Sequence, residues 1–261
     1  MELSSAYRLF ELLLGWSLVL QTLEYLRIQR LDRVGDWQIQ RDEVPPSPPG
    51  IRTLLDALLR PGAYTALLWL RLALALWLMF AGLGPGGAVL LFAIGLVLLV
   101  RWRGAFNGGS DFMTLVGLTG LLIAQLVGAW LQPETGWRAG LWYVTLQTVS
   151  SYFVSGWVKL LRPEWRSGAA LPVFLDTGVY GPLPATSLYR HPVVAWLLTW
   201  GFTVWEGCFV LALLDVRLAL LFCVIGALFH GMVFWYFGLN RFFWAWLASY
   251  PAVVYCAQVS F

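Results

Sequence analysis

Apolar runs, each about as long as a bilayer is thick, follow one another along almost the whole chain and leave few folds open to it. Crossing the hydrocarbon layer takes about 20 predominantly apolar residues in a helix. Candidate runs cover Tyr7–Leu26, Tyr64–Leu83, Ala88–Val100, Phe112–Leu131, Ala139–Leu161, Val193–Leu214, Val216–Phe237 and Phe242–Val259. The third is short and needs its Gly and Trp flanks to reach across. Asp215 and Arg217 separate the sixth and seventh so closely that a tight helical hairpin is implied. In lipid every backbone amide must be satisfied within its own segment, so such runs predict helices. The expected fold is all-α: a polytopic transmembrane bundle of about eight spans.

Composition agrees. The 261 residues are 59% apolar and 12% charged, and the mean hydropathy is +0.71. A soluble domain is about 25% charged. The net charge of +3 is too small to indicate a nucleic-acid partner. The expected partner is the lipid bilayer, and the 16 tryptophans suit its interface. The first run resembles a signal peptide in position only. It is too long, carries Glu11, and meets no small-residue cleavage site, so it reads as a span. Cys208, Cys223 and Cys256 lie in apolar runs without a CxxC pair and read as small buried hydrophobes.

Residues 1–261 read as one domain without an internal repeat, interrupted by two long polar loops. In loop 27–62 the segment PPSPPG is expected to be non-helical, because proline lacks the amide donor. The following IRTLLDALLR alternates at helical spacing, as an interfacial helix does. Loop 162–192 is rich in Gly and Pro and long enough to act as a lid. Arginines crowd the odd-numbered loops (Arg27, Arg30, Arg33, Arg60, Arg101, Arg103, Arg162, Arg166, Arg190 and Arg241 among them), against Arg8, Arg138 and Arg217 on the opposite side. The bias places the odd loops in the cytoplasm and both termini outside, as in a multi-pass protein of a bacterial inner membrane.

An ionisable group inside a membrane costs about 2.5–3.5 kcal/mol on insertion scales, so each needs a partner or a task. Lys159, the single lysine, ends the fifth span one turn after Ser155. In apolar surroundings an amine can serve as a general base. At a helix end it can equally snorkel. His230 lies mid-span, suited to relaying a proton or bonding a ligand carbonyl, or else to an interhelical hydrogen bond. Glu206, central in the sixth run, is expected to be protonated or paired with Arg71 or Lys159. Before the fourth span, Asn107, Gly108, Gly109, Ser110 and Asp111 offer either a helix cap or a polar pocket. No HxxxH or carboxylate–His pairing is present, so no metal site is expected.

Three segments carry a resemblance. YFVSGWVKLLRPEW, with Tyr152, Phe153, Gly156, Lys159, Trp165 and the downstream Gly168, is similar to the lysine segment of vitamin K-dependent γ-glutamyl carboxylases. FHGMVFWYFGLNRFFWAWLASYP resembles their membrane histidine followed by a Leu-Ala-Ser-x-Pro run, here Leu247, Ala248, Ser249 and Pro251. The third is the asparagine loop, here Asn107, although Gly108 stands where those enzymes have histidine. Together they resemble the HTTM domain, the membrane part of that superfamily. The resemblance implies Lys159 as a base acting with a reduced quinone as cofactor, and the intramembrane His230 and Glu206 join it as catalytic candidates. Asn107, Ser110, Asp111, Arg71 and Trp165 would line the cofactor pocket. The sequence closes soon after its last apolar run, without the substrate-recognition domain of those carboxylases. That favours a competing expectation: a non-catalytic membrane subunit with a protein partner chain. A secondary transporter ranks last, since no repeat is found.

Overall fold

The structure is a computed structural model that describes residues 1–31, 37, 41, 48–102 and 108–260. Among them all regular structure is helical. Helix α1 spans Leu3–Leu31, α2 Pro49–Leu58, α3 Pro61–Ala81, α4 Pro85–Trp102, α5 Gly108–Trp130 and α6 Pro133–Leu160. Then come α7 Pro163–Arg166, α8 Ala170–Leu175, α9 Pro192–Gly207, α10 Val216–Phe237, α11 Asn240–Leu247 and α12 Tyr250–Val259. Five of these, α1, α3, α4, α5 and α10, are long and apolar enough to cross a membrane. Their outward surfaces are apolar too: Trp77, Phe80, Leu228 and Trp235 are all well exposed. Side chains of this kind, gathered on one body, are solvated by lipid rather than water. This is an integral membrane protein of helical type.

Each apolar run of the sequence is helical, with three refinements. Proline opens α2, α3, α4, α6, α7 and α9, where its missing amide is an orphan anyway and its fixed φ suits the first turn. The expectation for PPSPPG is therefore corrected at its end: Pro49 and Gly50 lie inside α2, while residues 45–47 fall outside the described residues. The sixth run changes pitch after Gly207, continuing as a 3-10 turn over Phe209–Leu213. The eighth run breaks between α11 and α12, just before Pro251, whose ring cannot donate into the preceding turn. Loop 162–192 contains α7, α8 and a 3-10 turn, Leu188–Arg190, closed by an Arg190–Asp176 ion pair at 2.7 Å.

Small residues set how closely the helices approach. A methyl group on Gly136 would strike the Ala124 carbonyl and the Gly128 backbone, and one on Gly140 would strike the Gly120 carbonyl. Helices α5 and α6 therefore touch backbone to backbone, the packing expected where lipid gives no hydrophobic push. Gly156 does the same for α6 against α9, meeting Gly207 and Thr203. That contact brings the end of α6 alongside Glu206. At the other end of the bundle Arg8 pairs with the buried Glu11 and donates to the Met79 carbonyl at 3.0 Å. Cys208, expected to be buried, is only partly so, while Cys223 and Cys256 are buried.

Candidate functional site

Among the described residues, three polar clusters link helices of the bundle. The first joins α6 to α9. Ser155 and Lys159 are four residues apart and share a helix face. Lys159 Nζ donates to Ser155 Oγ at 3.0 Å and forms an ion pair with Glu206. Ser155 Oγ donates in turn to the other Glu206 oxygen at 3.2 Å. The lysine side chain is 17% exposed and the glutamate 4%. Trp165, at the start of loop 162–192, lays its ring 5.4 Å from the ammonium, within cation–π range. Of the two partners expected for Glu206, then, Lys159 takes the place and Arg71 does not.

The second cluster is one turn deeper on α6. Tyr152 shares a 2.6 Å hydrogen bond with His230 Nε2 on α10 and a 2.8 Å bond with the Tyr250 hydroxyl on α12. His230 is 2% exposed. Its ring stacks on Trp246 at 4.8 Å and meets the edge of Phe242 at 5.0 Å. Tyr152 stacks on Phe209 at 4.1 Å and meets Trp205 at 5.0 Å. Among the described residues, His230 Nδ1 has no hydrogen-bond partner. The three groups form a continuous chain of exchangeable protons inside an aromatic cage.

The third cluster links α1, α3, α5 and α11. Arg71, 1% exposed, donates to Thr22 Oγ1 at 2.7 Å and to Gln21 Oε1. The Gln21 amide passes the link to Asp111 Oδ1 at 2.9 Å. Arg241 Nη1 lies 3.9 Å from that same oxygen, donates to the Tyr25 hydroxyl at 3.1 Å, and its Nε pairs with Glu24 at 2.9 Å. A cavity of ≈20 Å³ beside Arg71 and Asp111 has space for about one water. The buried Arg101 guanidinium lies 5.5 Å from the Tyr64 ring.

The single pocket expected from the sequence is thus divided. Lys159, Glu206 and Trp165 come together. His230 is bonded to Tyr152 rather than to any of these three. Arg71 and Asp111 belong to the third cluster, joined through Gln21. Ser110 and Asp111 lie within the first turn of α5 rather than ahead of it, because the helix already begins at Gly108. Ser110 is fully buried. Asn107 lies outside the described residues. Arg101 and Arg241, counted above as loop charges, are buried helix residues.

Sequence reasoning missed Tyr250, Gln21 and Thr22 as site residues and weighed Tyr152 only as part of a motif. A signal for the α1 pair was present: Ser17, Gln21, Thr22 and Glu24 form a polar stripe at helical spacing inside an apolar run. Such a stripe faces the interior of a bundle. Comparison with models of protein families, with curated proteins and with solved structures finds no match.

Proposed function

We propose that this chain is an HTTM-type membrane protein, crossing the bilayer about eight times, whose Lys159–Glu206–Ser155 cluster is a proton-accepting site for a lipid-soluble, quinone-like ligand. One observation carries the reading. The chain's single lysine is held at the edge of the helix bundle against a buried carboxylate, a hydroxyl and an indole face. The resemblance of the Tyr152–Gly168 segment to the carboxylase lysine segment supports it independently. An even number of crossings is supported by the meeting of the Met1 amine with Gln258, which brings the two ends of the bundle's chain to one face. The arginine bias supports a cytoplasmic side for the odd-numbered loops.

The residues fit such a group. Trp165 offers a flat ring beside the ammonium, and the lysine–glutamate pair offers both a donor and an acceptor to a phenolic hydroxyl. When bound, a reduced quinone supplies reducing equivalents and a dissociable hydroxyl proton. The chain's own part is acid–base. The pair holds one exchangeable proton between amine and carboxylate. Transfer of that proton to Glu206 leaves a free amine on Lys159, the form that acts as general base. Ser155, bonded to both partners, keeps them in register. Glu206 and Lys159 are in this reading one unit rather than two catalytic residues.

The test compares Lys159→Ala and Lys159→Arg with the native protein, purified in nanodiscs, given reduced quinone and oxygen. Loss of quinone turnover or binding in both variants supports the site. Unchanged turnover and binding in both removes it.

A second reading, a non-catalytic membrane subunit, is favoured by the fact that the pair is satisfied from within and ties α6 to α9. It expects a stoichiometric partner chain after mild-detergent purification, together with full function of Lys159 variants.

A further inference from the structure

A separate feature lies where α1 leaves the bundle and α10 turns into α11. A cleft of ≈520 Å³ opens there, within the size range of small-molecule and lipid-headgroup sites, about 300–1,000 Å³. Its lining divides by chemistry. Leu20 and Leu23 provide an apolar wall on α1, and Leu23 is exposed. Arg27, one turn further along α1, stands at the mouth. Arg241 forms the floor and is buried, held by Glu24 and the Tyr25 hydroxyl. Asn240 adds a side-chain amide and opens α11. Two guanidiniums thus face the cleft against one carboxylate. The first-turn amides of α11 add partial positive charge at the same end.

We infer that this cleft holds an acidic phospholipid, its phosphate between Arg27 and Arg241 and one acyl chain along Leu20 and Leu23. Three features select this occupant. The cationic groups stand at the mouth and floor, and the apolar wall runs on down the outer face of α1 towards the lipid. A basic pocket between transmembrane helices, at the arginine-rich end of a bundle, is the usual form of an acidic-headgroup site. Arg241 is fixed by the Glu24 and Tyr25 bonds, so it presents its charge without an ordering cost at binding. The same guanidinium reaches Asp111 and, through Gln21, Arg71. The site is therefore wired to the buried third cluster. It does not depend on the chemistry at Lys159.

The experiment is native mass spectrometry of the full chain in a neutral detergent. The protein is titrated with phosphatidylglycerol, with phosphatidylcholine, and with glycerol phosphate as a free-anion control. The lipid site predicts one retained phosphatidylglycerol, bound about tenfold more tightly than phosphatidylcholine and not displaced by millimolar glycerol phosphate. Arg27→Gln, at an exposed position that leaves the fold intact, weakens retention roughly fivefold, the weight of one basic residue near an anionic headgroup. Leu23→Trp, which fills the apolar wall, lowers retention further while the Arg27 charge remains. Equal retention of the two lipids, indifference to Arg27→Gln, or displacement by glycerol phosphate at the lipid's own concentration would each overturn the inference.

Discussion

Removing either member of the Lys159–Glu206 pair leaves a charge in a place built for two. The glutamate is 4% exposed and the lysine 17%. Breaking a buried pair costs roughly 3–5 kcal/mol, because the survivor has lost its compensation. The partial exposure of the lysine puts this pair at the lower end. Lys159→Met and Glu206→Leu are each expected to destabilise by about 3 kcal/mol. Replacing both removes the pair and its desolvation penalty together, and such replacements are often neutral. The double variant should then be no less stable than either single one. That outcome means a coupling of at least about 3 kcal/mol in a double-mutant cycle. Unfolding by SDS in mixed micelles, followed by the fluorescence of the 16 tryptophans, gives the four free energies. A double variant whose loss equals the sum of the single losses would refute the reasoning. It would mean that the two groups do not sense one another and that Ser155 and Trp165 satisfy the lysine alone.

Gly140→Val should separate α5 from α6, since its side chain has the Gly120 carbonyl and Ala124 in the way; a loss of about 3 kcal/mol or more is expected, read as reduced monodisperse yield and a lower midpoint in the same SDS titration. Tyr152→Phe removes the hydroxyl that joins His230 to Tyr250 and leaves both without that partner in a buried site. It should cost about 1–3 kcal/mol by the same assay, and a variant as stable as the native protein would show that the proton chain adds nothing to the fold.

Much of the fold can be read from the sequence, because in lipid a run of apolar residues has few conformations open to it. The places where reading stops are local. Pro251 sits nine residues after Phe242 in a run that is apolar throughout, so hydropathy alone carries it through as one helix, and only the missing amide of proline divides it. The ends of α1 lie outside the expected Tyr7–Leu26 because polar turns such as those at Ser4 and Gln29 continue a helix beyond the hydrocarbon layer. The site is less legible. Ser155 and Lys159 are one turn apart and could be paired by eye, and Glu206 had two named partners to choose between. The bond from Tyr152 to His230, 78 residues away, has no sequence signature. It exists because Gly226 admits Tyr250 and Trp205 close to α10. Arg71 likewise finds Gln21 and Thr22 across some 50 residues, through the close fit of Gly15 of α1 against Ala75 and Met79 of α3.

Photolabelling reaches the proposed site most directly. A short-tailed azidoquinone, illuminated with the protein in nanodiscs and mapped by peptide mass spectrometry, should attach to the stretch from Ser155 to Trp165 or to Thr203–Gly207, and an excess of the parent quinone should suppress it. Label scattered over the outward faces of α3 and α10, at Trp77 or Leu228, and unaffected by competitor, would contradict a quinone site at Lys159.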